Sequence, residues 1–106
     1  MPYTSTELVS ATFFNGESIP TDNLIPTARF NAINNRVDRF INRRLGILKT
    51  DSLASDPYGD LEEIGIKLWG LGLMGVRLFV TFDDSLALKR YHTSNKGLYN
   101  SEDNTT

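Results

Sequence analysis

One stretch limits what this chain can fold into more than any other. Residues 21–45, TDNLIPTARFNAINNRVDRFINRRL, carry Phe30, Ile33, Val37, Phe40 and Ile41 at three- and four-residue spacing. At 3.6 residues per turn these side chains share one face of an α-helix. Asn31, Asn35, Asp38 and Asn42 fall on the opposite face, and Arg29, Arg36, Arg39 and Arg43 form a basic stripe between the two. Arg44 points toward the apolar side, where its stem is expected to lie along the helix end with the charge in water. Gly46 stands where a left-handed residue ends a helix. Pro26 lies about one turn inside the stretch, and we read a single helix with an irregular first turn, capped by Ser18 or Thr21.

A chain of 106 residues holds one domain with a modest core. With no cysteine and one histidine, His92, disulfides, thiolate metal sites and histidine-rich metal sites are excluded. The formal net charge is −2, but residues 29–49 contain six bases and one acid, Asp38. The rest is net acidic, which points to specific charged contacts rather than general affinity for nucleic acid. The opening MPYTSTELVS lacks the basic and apolar regions of a signal peptide. The most apolar stretch, 64–82, has the length of a membrane span but carries Lys67 and Arg77 inside, so no membrane helix is expected and a soluble cytoplasmic chain is the default.

Around the central helix the chain reads as follows. Thr4 and Glu7 fit a capping box before a short helix over residues 6–13. Asn15-Gly16 makes a turn. Residues 49–59 form a loop. Asp60, Glu62 and Glu63 cap and begin a third helix, running from Leu61 to Phe79 or slightly further, with Glu63 and Lys67 as an exposed pair. That helix is apolar around most of its circumference and calls for more cover than two other helices provide. Gly65, Trp69, Gly72 and Gly75 on it are candidate subunit-packing positions, the glycines allowing close backbone approach. Phe79 to Phe82 alternates like a short strand, and Ser85 to Tyr91 adds a helical turn or two. The fold expected is all-α: a small bundle of about three main helices over residues 1–91, with an extended polar tail, 92–106, disordered alone. Leu98 and Tyr99 are its candidate partner contacts.

Catalytic chemistry is not signalled. His92 has no paired carboxylate or nucleophile nearby in sequence and reads as a solvated side chain. Glu62-Glu63 and Asp83-Asp84 are explained by helix capping. The glycines lie in an apolar helical run, not in a phosphate-cradling loop. No cofactor, metal or small-molecule substrate is expected. The arginine stripe is the chief polar feature, read either as a solvated flank or as a surface meeting an acidic neighbour or a DNA backbone, both of which suit the guanidinium fork. The loop over 49–59 is too long for the turn of a helix-turn-helix.

The order of parts (YTSTELV, then PTDNLIPTARFNAINNRVDRFINRRLGI, then DLEEIGIKLWGLGLMGVRLF and a polar tail) resembles the small head–tail connector, or adaptor, proteins of tailed bacteriophages and related viruses. The resemblance covers roughly residues 3–82 and rests on helix lengths and apolar spacing. It implies a non-enzymatic virion protein, made in the host cytoplasm, forming a homo-oligomeric ring between the portal and the tail or neck and extending the DNA channel. It also implies that Arg29, Arg36, Arg39 and Arg43 lie at an interface or line that channel, in non-specific contact with packaged DNA. The alternative is a small helical nucleic-acid-binding or regulatory domain using the same arginines.

Overall fold

In a computed structural model, which describes residues 3–46 and 56–103 with side chains through Thr93, the chain is all-α. Four helices occur among the described residues: α1 (Thr6–Phe13), α2 (Thr27–Leu45), α3 (Asp60–Met74) and α4 (Phe82–Asp103). Helix α2 packs against both α3 and α4, and α3 also meets α1 and α4.

The short first helix falls where its sequence places it, although Ser5 rather than Thr4 is the cap, its Oγ accepting the Leu8 amide at 3.1 Å. Asn15 and Gly16 both adopt positive φ and turn the chain. Thr21 does cap, but not the central helix. Its Oγ1 accepts the Leu24 amide at 3.1 Å and its carbonyl the Ile25 amide at 2.8 Å, closing a separate turn. Helix α2 then starts at Thr27, directly after Pro26, which has extended backbone angles. The fixed proline φ and its missing N–H suit this boundary, so the single irregular helix from residue 21 is replaced by a turn and a regular helix. At the other end Gly46, at φ 76°, closes α2 as expected.

The core face of α2 is Phe30, Ile33, Val37, Ile41 and Leu45. Phe40 is only half-buried, and Asp38 and Asn42, assigned to the solvent side, are buried. The cause is the N-terminal segment. Tyr3 is buried on that side of α2 and its hydroxyl donates to the Asn42 carboxamide oxygen.

Helix α3 is shorter than its apolar run. Gly75, at φ 75°, stops it: its N–H reaches the Gly72 carbonyl at 3.1 Å, and the Val76 N–H returns to Leu71 at 3.2 Å. This double closure satisfies the terminal carbonyls and needs a left-handed residue. The start also differs. Gly59 occupies the cap position, and the Asp56 carboxylate accepts the Leu61 and Glu62 amides at 3.1 and 3.2 Å, so the capping acid is Asp56 and not Asp60.

The cover that α3 needs comes from within the chain. Trp69, wholly buried, meets Phe30 with ring centroids 5.2 Å apart and donates its indole N–H to Asn34 at 3.0 Å. A Cβ on Gly65 would meet the Tyr3 carbonyl oxygen at 3.0 Å, and one on Gly72 would meet Ile33 Cγ2 at 2.9 Å. The close approach expected of a neighbouring subunit at Gly65, Trp69 and Gly72 is therefore made by the chain's own first residues and by α2, while Gly75 serves as the helix stop.

Residues 76–81 run without turn or bend into α4. Thr81 caps α4, its Oγ1 accepting the Asp84 amide at 3.1 Å. Asp83 and Asp84 occupy the first turn, where the helix dipole favours acids. Lys67 lies 3.4 Å from both Glu63 and Asp84, adding a tie between α3 and α4 to the expected pair. Leu88 and Tyr91 are buried, which makes α4 the fourth packing helix rather than a turn or two. Its backbone stays helical to Asp103, where an extended tail was expected from His92; nothing after Asp84 in that stretch is proline, and each residue supplies the N–H that continues the ladder. The side chains of Leu98 and Tyr99 lie outside the described residues, as do residues 47–55 of the connection before α3. Among the described residues no helix is long and apolar enough to cross a membrane.

Candidate functional site: an arginine groove

The C-terminal half of α2 and the start of the 76–81 connection enclose a groove of about 450 Å³ lined by Arg36, Arg39, Phe40, Arg43, Arg44, Arg77 and Leu78. Its construction follows from two local features. Burying the Ile33, Val37 and Ile41 face turns Arg36, Arg39 and Arg43, at three-, four- and seven-residue spacing, onto one flank of the helix. The left-handed Gly75 then ends α3 early, so Arg77 and Leu78 leave the helix and reach the same flank.

Arg44 lies over Phe40 at the edge of the apolar face, with its charge exposed, and from there also lines the groove. Its guanidinium carbon sits 3.6 Å from the centroid of Phe40, a cation–π contact that holds both side chains at the rim. Partial burial, and then the Arg43 charge, weaken the Arg44 guanidinium's hold on its proton. Like charges brought together act in that direction. Arg39 is steadied by donating Nε–H to the Asn35 carbonyl at 3.2 Å. The ion pairs among the described residues are Lys67 with Glu63 and Asp84, and Arg90 with Asp60; none involves an arginine of the groove. Five guanidinium groups thus converge, with an aromatic ring and a leucine between them, and no described carboxylate offsets them. Such a site concentrates positive potential and offers forked donors to carboxylate or phosphate oxygens.

Of the four stripe residues named from sequence, Arg36, Arg39 and Arg43 come together. Arg29 does not. Its Nη2 donates to the Leu73 carbonyl at 2.6 Å and so caps the C-terminal end of α3. Sequence reasoning missed Arg77, Arg44 and Phe40 as groove members. Gly75, followed by the β-favouring residues 79–82, is the signal that releases Arg77 from α3.

Two other polar sites stand apart from the groove. Burial pushes the Asp38 carboxyl up to about 6, and burial, with the Asp38 charge, pushes the Tyr3 phenol up as well. Tyr3, Asp38 and Asn42 thus form a buried polar cluster joining the first residues to α2. His92, expected in solvent, is half-buried, with Nδ1 enclosed and without a hydrogen-bond partner among the described residues. No group of three His, Asp or Glu side chains among the described residues is placed to hold a metal ion. No protein-family model, curated protein or solved structure matches the chain.

Proposed function

We propose that this chain is a non-enzymatic structural protein of a tailed virus, a helical connector that forms a ring between the portal and the tail or neck and extends the DNA channel. The observation that carries the reading is the arginine groove. It is a polyanion-facing surface, suited to packaged DNA or to an acidic neighbouring protein. The resemblance of the order of parts in the sequence to small connector proteins favours the same reading. So do the exposed apolar side chains Met74, Val76, Phe79, Phe82 and Leu86 around the α3–α4 connection, since apolar surface of this kind is commonly covered in an assembly. The α3 face is used inside the chain, which moves the candidate subunit contact from the glycine groove to this connection.

The test is simultaneous Arg36→Gln, Arg39→Gln and Arg43→Gln in the virus that encodes the chain. Loss of filled, tailed particles with the variant still folded is the expected result. Unchanged particle yield and infectivity would contradict it.

A second reading is a small nucleic-acid-binding domain. The same five arginines favour it, and it is distinguished by duplex binding of the isolated chain, with an affinity that falls steeply as salt rises.

A further inference from the structure

The connection 76–81 has the alternation of a strand, and no strand pairs with it among the described residues. Leu78 and Val80 are half-buried, whereas Arg77, Phe79 and Thr81 are exposed, Phe79 at 62%. This is the two-residue period of an extended chain. Among the described residues, the backbone N–H and C=O groups of Arg77, Leu78, Phe79 and Val80 make no backbone hydrogen bond. An extended segment with a free row of donors and acceptors is a template for strand addition. Arg77 and Leu78, which begin the segment, also line the arginine groove. This backbone, unpaired among the described residues, and the guanidinium cluster are therefore parts of one surface.

We propose that this surface binds an extended acidic segment of a partner protein, which pairs with the backbone of residues 77–80 and sets its carboxylates on Arg36, Arg39 and Arg43. The proposal deepens the reading of the groove as a polyanion surface and rests on it. Residues of an added strand alternate between two sides. Those on the Leu78 side face the α2 arginines, and those on the Phe79 side meet an exposed phenyl ring. The matching partner sequence alternates acidic with apolar residues. A two-stranded pairing alone is marginal in water, and the charge-assisted arginine–carboxylate bonds supply the remaining attraction. A DNA backbone fits less well. Its phosphates satisfy the guanidinium groups, but it offers no row of N–H donors for the free carbonyls of 77–80 and no apolar group for Phe79.

The experiment titrates the full chain with three probes at equal salt: a blocked octapeptide of alternating Glu and Val, blocked octaglutamate, and a short mixed-sequence DNA duplex. Amide hydrogen exchange is followed at residues 77–80. The Glu–Val peptide is expected to bind at least about tenfold tighter than octaglutamate, about 1.4 kcal/mol, and to slow exchange at 77–80. Phe79→Ser, at an exposed position, is expected to weaken the Glu–Val peptide several-fold and leave octaglutamate binding as it was. Octaglutamate binding equally well, or exchange at 77–80 unchanged by the Glu–Val peptide, overturns strand addition. Binding by the duplex alone overturns the protein partner but leaves the groove a polyanion surface. Binding by none of the three overturns both.

Discussion

The Tyr3 hydroxyl donates to the carboxamide of Asn42, thirty-nine residues away, and so fastens the first residues of the chain over a polar pair on α2. Both residues are buried, so removing the donor leaves a buried acceptor unsatisfied. Tyr3→Phe is expected to cost about 1–3 kcal/mol. In a chain of this size, each kcal/mol lowers the thermal midpoint by about 4–8 °C. A melting curve matching wild type would show that the bond contributes nothing.

Asp38 gives the same cluster a pH dependence. Its carboxyl is raised from 3.8 to about 6 by burial. Between those values the folded chain keeps a proton that the unfolded chain has lost, so stability falls as pH rises through this window. Below it both states are protonated, and above it the burial penalty on the carboxylate is complete. Asp38→Asn removes the ionisation. Its stability relative to wild type is expected to improve by about 2 kcal/mol from pH 4 to pH 7. Denaturant midpoints at the two pH values check this, and a difference that stays constant or reverses contradicts it.

The cap of α3 separates two neighbouring aspartates. Asp56 accepts two amides of the first turn and the Tyr91 hydroxyl at 3.3 Å, whereas Asp60 accepts no first-turn amide among the described residues and pairs with Arg90 at 2.9 Å on the surface. Asp56→Ala is expected to cost about 1–2 kcal/mol. Asp60→Ala should cost under about 1 kcal/mol. Equal losses, or the opposite order, would restore the capping box expected from sequence.

Gly75 is required for its backbone angle, not for space, since nothing lies within 4 Å of where its Cβ would stand. Gly75→Ala is expected to lose about 1–2 kcal/mol. Gly75→Asn should lose less, because asparagine tolerates the left-handed region. If the two variants are equally stable, the stop has another cause.

Much of this architecture is readable from spacing. The bounds of α1, the core face of α2 and the stop at Gly46 follow from local pattern, because adjacent turns decide them. Asp38 and Asn42 were not readable as buried. Periodicity assigns polar residues to water, and only the distant Tyr3 segment reverses that. The end of α3 was obscured because the apolar residues after Gly75 extend the helical pattern past a glycine that terminates it. Among the described side chains of α4 only Leu88 and Tyr91 are buried, too few to show a helical period. The groove was half readable for the same reasons: three arginines share a flank of one helix, while Arg77 arrives through the chain reversal at Gly75.

Charge in the groove and charge at the end of α3 are separable. The triple substitution Arg36→Gln, Arg39→Gln, Arg43→Gln is expected to weaken octaglutamate binding by about tenfold or more, since three exposed pairs at about 0.5 kcal/mol each sum to that factor. Its thermal midpoint should change little. Arg29→Gln, which removes the contact with the Leu73 carbonyl, should lower the midpoint and leave octaglutamate affinity as it was. The reverse assignment would place the working charge at Arg29.

The most direct test of the proposed connector reading is a count, by quantitative mass spectrometry, of copies of this chain in virus particles purified from its source. A ring on a portal is expected to give on the order of a dozen copies per particle, as a closed cyclic assembly does. Absence from the particle, or hundreds of copies, would contradict that assignment.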